Sequence, residues 1–147
     1  MTVDLHAEAL TTTVTEMTEV CRLDDLSRER GVAALVGAVQ VALFRTFDDV
    51  VYAVQQRDPY SGANVMSRGI VGSRGDTPTV ASPMYKQVFD LRTGECLDPV
   101  GKEPRRLMSY PVVVRDGAVL VTGAVLAGAP RAAREAWAAG DAAGAGP

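Results

Sequence analysis

Two thiols and one imidazole, Cys21, Cys96 and His6, are the side chains here most readily turned to nucleophilic or soft-metal chemistry. Their placement argues against both. The cysteines lie far apart and form no C-x-x-C pair, so each reads as a small, partly buried hydrophobe. With one histidine, a two-imidazole cluster within one protomer is excluded by counting. That histidine lies in a polar, threonine-rich opening segment, which leaves a Ser-His-Asp or Cys-His machine without support. Arg74-Gly75-Asp76 reads as a turn. Gly69-Ile70-Val71-Gly72 lacks the strand, glycine-rich turn and helix of a dinucleotide site. Asp90 with Thr93-Gly94 reads as turn chemistry, with Arg92 placed to pair with Asp90 or Glu95. The expected catalytic and metal-ligand sets of this chain are therefore empty.

The elements that must carry these residues are short and β-like. The 147 residues are 47% hydrophobic, which suits one compact domain. A formal net charge of −3 with scattered basic residues excludes a nucleic-acid partner. The densest basic group, Lys102, Arg105 and Arg106 beside Glu103, reads as a solvated loop; the sharper reading is part of a docking face for an acidic partner. The first twenty residues lack a basic start and an apolar run, and no stretch approaches the ~20 apolar residues of a membrane span. A cytoplasmic protein without membrane contact is expected.

Residues 1–15 are expected to be disordered. Alternation over 18–23, β-branched runs over 32–36, 39–45 and 50–55, and runs over 110–115 and 118–122 predict strands. Gly37-Ala38 and Asp116-Gly117 sit between such runs and predict hairpins. Residues 58–81 read as irregular, residues 85–89 as a short strand and 90–94 as a turn. So much loop usually serves a function. The Ala-rich tail from 127 to 147 is expected to hold a short helix over 131–139, anchored by Trp137.

Two loop segments carry a recognisable frame. Asp58-Pro59-Tyr60-Ser61-Gly62-Ala63 resembles the C-x-H loop of Rieske iron–sulfur domains. Ser82-Pro83-Met84-Tyr85, followed by Phe89-Asp90-Leu91-Arg92-Thr93-Gly94, resembles their C-P-x-H loop and its F-D-x-x-T-G continuation. A Rieske cluster needs two thiolates on one iron and two imidazoles on the other. By this resemblance Asp58 and Ser82 stand at the cysteine positions, and Tyr60 and Tyr85 at the histidine positions. A carboxylate, a hydroxyl and two phenols are a poor replacement set.

With Ser-Arg-Gly-Ile-Val-Gly (67–72) and the run from Ser82 to Leu97, the likeness narrows. Over about Thr18 to Leu126 the chain is similar to the small subunit of assimilatory NAD(P)H-dependent nitrite reductase, a ligandless Rieske-like domain. The resemblance implies an all-β, Rieske-like antiparallel sandwich or barrel over residues 16–126, with two long loops. It implies no cofactor in this chain, and a large nitrite reductase subunit as partner carrying FAD, an iron–sulfur cluster and siroheme. The implied role is accessory, within an enzyme reducing nitrite to ammonium. Tyr60, Met66, Met84 and Tyr85 are the candidate partner contacts, because aromatics and Met are enriched at interfaces. Tyr60 and Tyr85 are alternatively expected to pack across the gap the cluster would fill. A homo-oligomer is compatible with the sequence. The alternative reading is a free-standing degenerate Rieske-type ferredoxin serving an oxygenase.

Overall fold

The computed structural model describes residues 17–122. His6, the segment 1–15 and the tail with its expected helix lie outside the described residues. Eleven strands run in chain order: β1 (Thr18–Arg22), β2 (Arg30–Val36), β3 (Val39–Arg45), β4 (Val51–Gln55), β5 (Ile70–Arg74), β6 (Thr77–Ala81), β7 (Val88–Asp90), β8 (Cys96–Asp98), β9 (Ser109–Tyr110), β10 (Val112–Arg115) and β11 (Ala118–Val121). They form three antiparallel sheets, ordered β1-β11-β10, β2-β3-β4-β9 and β5-β6-β7-β8. Among the described residues no helix is long and apolar enough to cross a membrane.

The middle sheet is the hinge of the architecture, and its sequence says why. Successive side chains of a strand point to opposite faces. In β3, Val41 and Leu43 enter one apolar cluster with Val119 and Val121 of β11. Ala42 and Phe44 enter the other, with Val80 of β6 and Phe89 of β7. All four are fully buried. An uninterrupted Val-Ala-Leu-Phe run, instead of polar alternation, is what a strand covered on both faces requires.

The predicted hairpins form. Asp116 (φ 53°) and Gly117 (φ 82°) both take the left-handed region that a two-residue type I′ turn needs, and Arg115 pairs with Ala118 across it. Val36 pairs with Val39 around Gly37-Ala38.

Two differences from the sequence reading bear on the loops. Residues 70–81 are not irregular; β5 and β6 pair there over five residue pairs. β5 is an edge strand whose side chains are mostly exposed, so it carries no alternating apolar signal. Pro78 further masks β6, yet its carbonyl accepts a hydrogen bond from the Leu91 N–H at 2.9 Å. The strand expected from Tyr85 begins only at Val88. Lys86 takes φ 66° and its N–H returns to the Ser82 carbonyl at 3.0 Å, which makes 82–86 a closed turn.

Candidate functional site

Two connections, 56–69 between β4 and β5 and 82–87 between β6 and β7, meet at one tip of the molecule. Gln56 holds the return of the first: its carbonyl accepts the Met66 N–H at 3.0 Å, and its side chain exchanges hydrogen bonds with Ser67 at 2.8 and 2.9 Å. Met66 is thereby turned into the core and fully buried. It is an inward anchor of the loop, not the exposed contact the sequence suggested.

Asp58 is wholly buried. Its N–H donates to the Ala63 carbonyl and its own carbonyl accepts from the Gly62 N–H, both at 2.8 Å, so the loop closes on itself. The carboxylate is filled from three sides. Oδ1 accepts the Tyr60 N–H at 2.8 Å and the Ser61 N–H at 3.4 Å. Oδ2 accepts the Ser82 hydroxyl at 2.5 Å, within the range of strong O–H···O bonds. Ser82, also buried, accepts the Met84 N–H on Oγ at 3.1 Å. One side-chain hydrogen bond thus ties loop to loop.

The aromatic positions diverge. The Tyr60 hydroxyl donates to the Glu103 carbonyl and accepts the Arg105 N–H, each at 2.8 Å, and lies 3.5 Å from Cys96 Sγ. Its ring stands 6.3 Å from that of Phe89. The Arg105 guanidinium lies 5.7 Å from the Tyr60 ring centre and donates to the Pro59 carbonyl at 2.9 Å. Burial, reinforced by the contact with Cys96, pushes the Tyr60 phenol up to about 12. Tyr85 instead points outward with 51% of its surface exposed, beside Met84 at 45%. The two tyrosines therefore do not bridge the loops; the two short polar residues do.

A third segment closes the tip, and sequence reasoning missed its role. Leu107 N–H donates to the Gly94 carbonyl at 2.8 Å, and Arg106 donates to the Thr93 carbonyl at 3.0 Å. Gly94 has φ 82°, and a Cβ there would fall 1.9 Å from the Leu107 carbonyl oxygen. The Thr93-Gly94 turn is the seat on which segment 103–107 rests. The available signal was the glycine itself, since no other residue combines that φ with that approach. Arg92 does pair with Asp90, at 3.1 Å.

This geometry has relatives. A family model described as a Rieske-like [2Fe-2S] domain matches residues 16–122. The nitrite reductase (NADH) small subunit of Escherichia coli (strain K12) is 38% identical over 106 residues, covering 71% of this chain and 95% of that one. The chain belongs to the Rieske-like [2Fe-2S] domain family, among the nitrite reductase small subunits. The solution structure of the nitrite reductase [NAD(P)H] small subunit from Erwinia carotovora shares 36% identity at a TM-score of 0.59, over 80% of this chain and 91% of that one. The nitrite reductase [NAD(P)H] large subunit of Klebsiella oxytoca is 44% identical over 102 residues; these are 69% of this chain and only 10% of that subunit.

The donor set of this small subunit does not fit the cluster its family name carries. None of Asp58, Tyr60, Ser82 and Tyr85 offers sulfur or imidazole nitrogen. Three of the four are already spent on hydrogen bonds within the fold. Among the described residues no group of three or more His, Cys, Asp and Glu could hold a metal ion.

Proposed function

We propose that this chain is the accessory small subunit of a cytoplasmic NAD(P)H-dependent nitrite reductase of nitrogen assimilation. It holds no cluster and acts by binding the large subunit. FAD, the iron–sulfur cluster, siroheme and the nitrite site belong to that partner. The observation that carries the reading is the Asp58–Ser82 hydrogen bond. It keeps the two-loop tip assembled with residues unsuited to iron, so what the scaffold retains is a surface. The Klebsiella oxytoca large subunit supports the partnership, because a segment 44% identical to this chain is built into it. Met84 and Tyr85, exposed on the tip, and the rim of Tyr60 are the proposed contacts. Binding of this kind stabilises the assembled form of the partner by mass action. The unit doing so is assigned to residues 16–126.

Co-expression with the large subunit tests this. The two chains should co-elute, and NAD(P)H-dependent nitrite reduction should follow the complex. Separate elution of folded chains at micromolar concentration would refute the reading. The ferredoxin alternative needs a cluster, which these four positions do not suit.

A further inference from the structure

We infer that the partner surface met by the tip is acidic, and that this charge match governs how fast the subunits associate; the inference rests on the large subunit being the partner. Residues 57–63, 82–87 and 102–107 carry five basic side chains, Arg57, Lys86, Lys102, Arg105 and Arg106, and two acidic ones, Asp58 and Glu103. Asp58 is buried and turned inward on Ser82. The tip therefore presents positive charge on a chain whose formal net charge is −3.

Away from the tip, four of the eight described cations meet a carboxylate. Arg28 and Arg45 share Asp49, Arg74 meets Asp98, and Arg92 meets Asp90. Among the described residues no ion pair uses a tip cation. Arg105 and Arg106 are instead held by neutral carbonyls, of Pro59 at 2.9 Å and of Thr93 at 3.0 Å. Such bonds fix a guanidinium without cancelling its charge. A positioned, uncompensated cation loses less side-chain freedom on meeting a carboxylate than a mobile one does. The same tip exposes Met84 and Tyr85, with Lys86 next to them in the chain, and apolar contact with charge at its margin is the arrangement of a specific protein contact. Charges at such a margin act mainly on the association rate.

The test measures association of this chain with the intact large subunit by surface plasmon resonance. Raising salt from about 50 to about 300 mM shortens the screening length about 2.4-fold and should slow association about tenfold or more, with dissociation little changed. Lys86→Glu with Lys102→Glu is the informative variant, because neither ammonium makes a hydrogen bond or ion pair within the described residues. At low salt it should weaken binding about tenfold or more. Arg115→Glu, on the exposed end of β10, changes charge in the same sense and should alter binding less than about twofold. A complex that forms with equal rates at both salt levels, or that treats the two variants alike, overturns the inference and leaves the partnership standing. Absence of any complex at low salt overturns both.

Discussion

Within one tip, the two short polar residues and the two tyrosines that the Rieske resemblance singles out behave in opposite ways. Asp58 and Ser82 are buried, turn toward each other and meet at 2.5 Å. Tyr60 and Tyr85 turn apart, one onto the 103–107 segment and one into solvent. Short side chains rooted deep in two facing loops can span the space between them by a direct hydrogen bond. Long aromatic ones cannot converge there without burying two hydroxyls that would each need a partner. The inner pair thus serves the fold, and the outer pair divides between a clamp and a free surface. One buried polar bond, backed by a third segment, therefore holds the two loops of this tip together.

That division can be broken in order of severity. Gly94→Ala should be the most damaging change, costing about 4 kcal/mol or preventing folding, because it removes the seat of the clamp. Chemical denaturation of the variant checks this, and a stable Ala variant would mean the 103–107 segment is not a support. Asp58→Ala should cost about 2–3 kcal/mol, since it strands the Ser82 hydroxyl and two loop N–H groups in a buried site. Asp58→Asn, which retains one carbonyl oxygen, should cost about half as much by the same measurement.

Tyr60→Phe comes next, at about 1 kcal/mol near neutral pH for the two lost hydrogen bonds. Its pH signature is more specific. The phenol rises from 10.0 to about 12 in the folded chain, so folding favours its neutral form. That contribution is complete below pH 10 and is lost as pH climbs from 10 toward 12. Stability measured across this window should fall less steeply in Tyr60→Phe than in the native chain; parallel curves would remove Tyr60 from the clamp. Tyr85→Ala should change stability by less than about 0.5 kcal/mol, as befits an exposed side chain. It should still weaken binding to the large subunit, and loss of stability instead would place Tyr85 in the structural half of the tip.

The sequence exposed the central sandwich more fully than the tip. The Val-Ala-Leu-Phe run of β3 and the Asp116-Gly117 turn carry their structure locally, through face alternation and left-handed φ. The β5–β6 hairpin does not, because an exposed edge with a mid-strand proline gains its order from pairing alone. The loop frame singled out Asp58, Tyr60, Ser82 and Tyr85, but nothing in it announced the Asp58–Ser82 bond. Lys86 in the left-handed region closes 82–86 into a turn and sends Tyr85 outward, and no residue-type preference announces that. Met66 was misplaced for a related reason: Gln56, ten positions earlier, decides which way its turn faces.

Iron and acid-labile sulfide in the anaerobically purified chain, read together with its visible spectrum, test the central claim most directly. A tip closed by Asp58 and Ser82 should carry only trace iron and no absorbance of an iron–sulfur centre. A stoichiometric [2Fe-2S] content with Rieske-type absorbance would contradict the account.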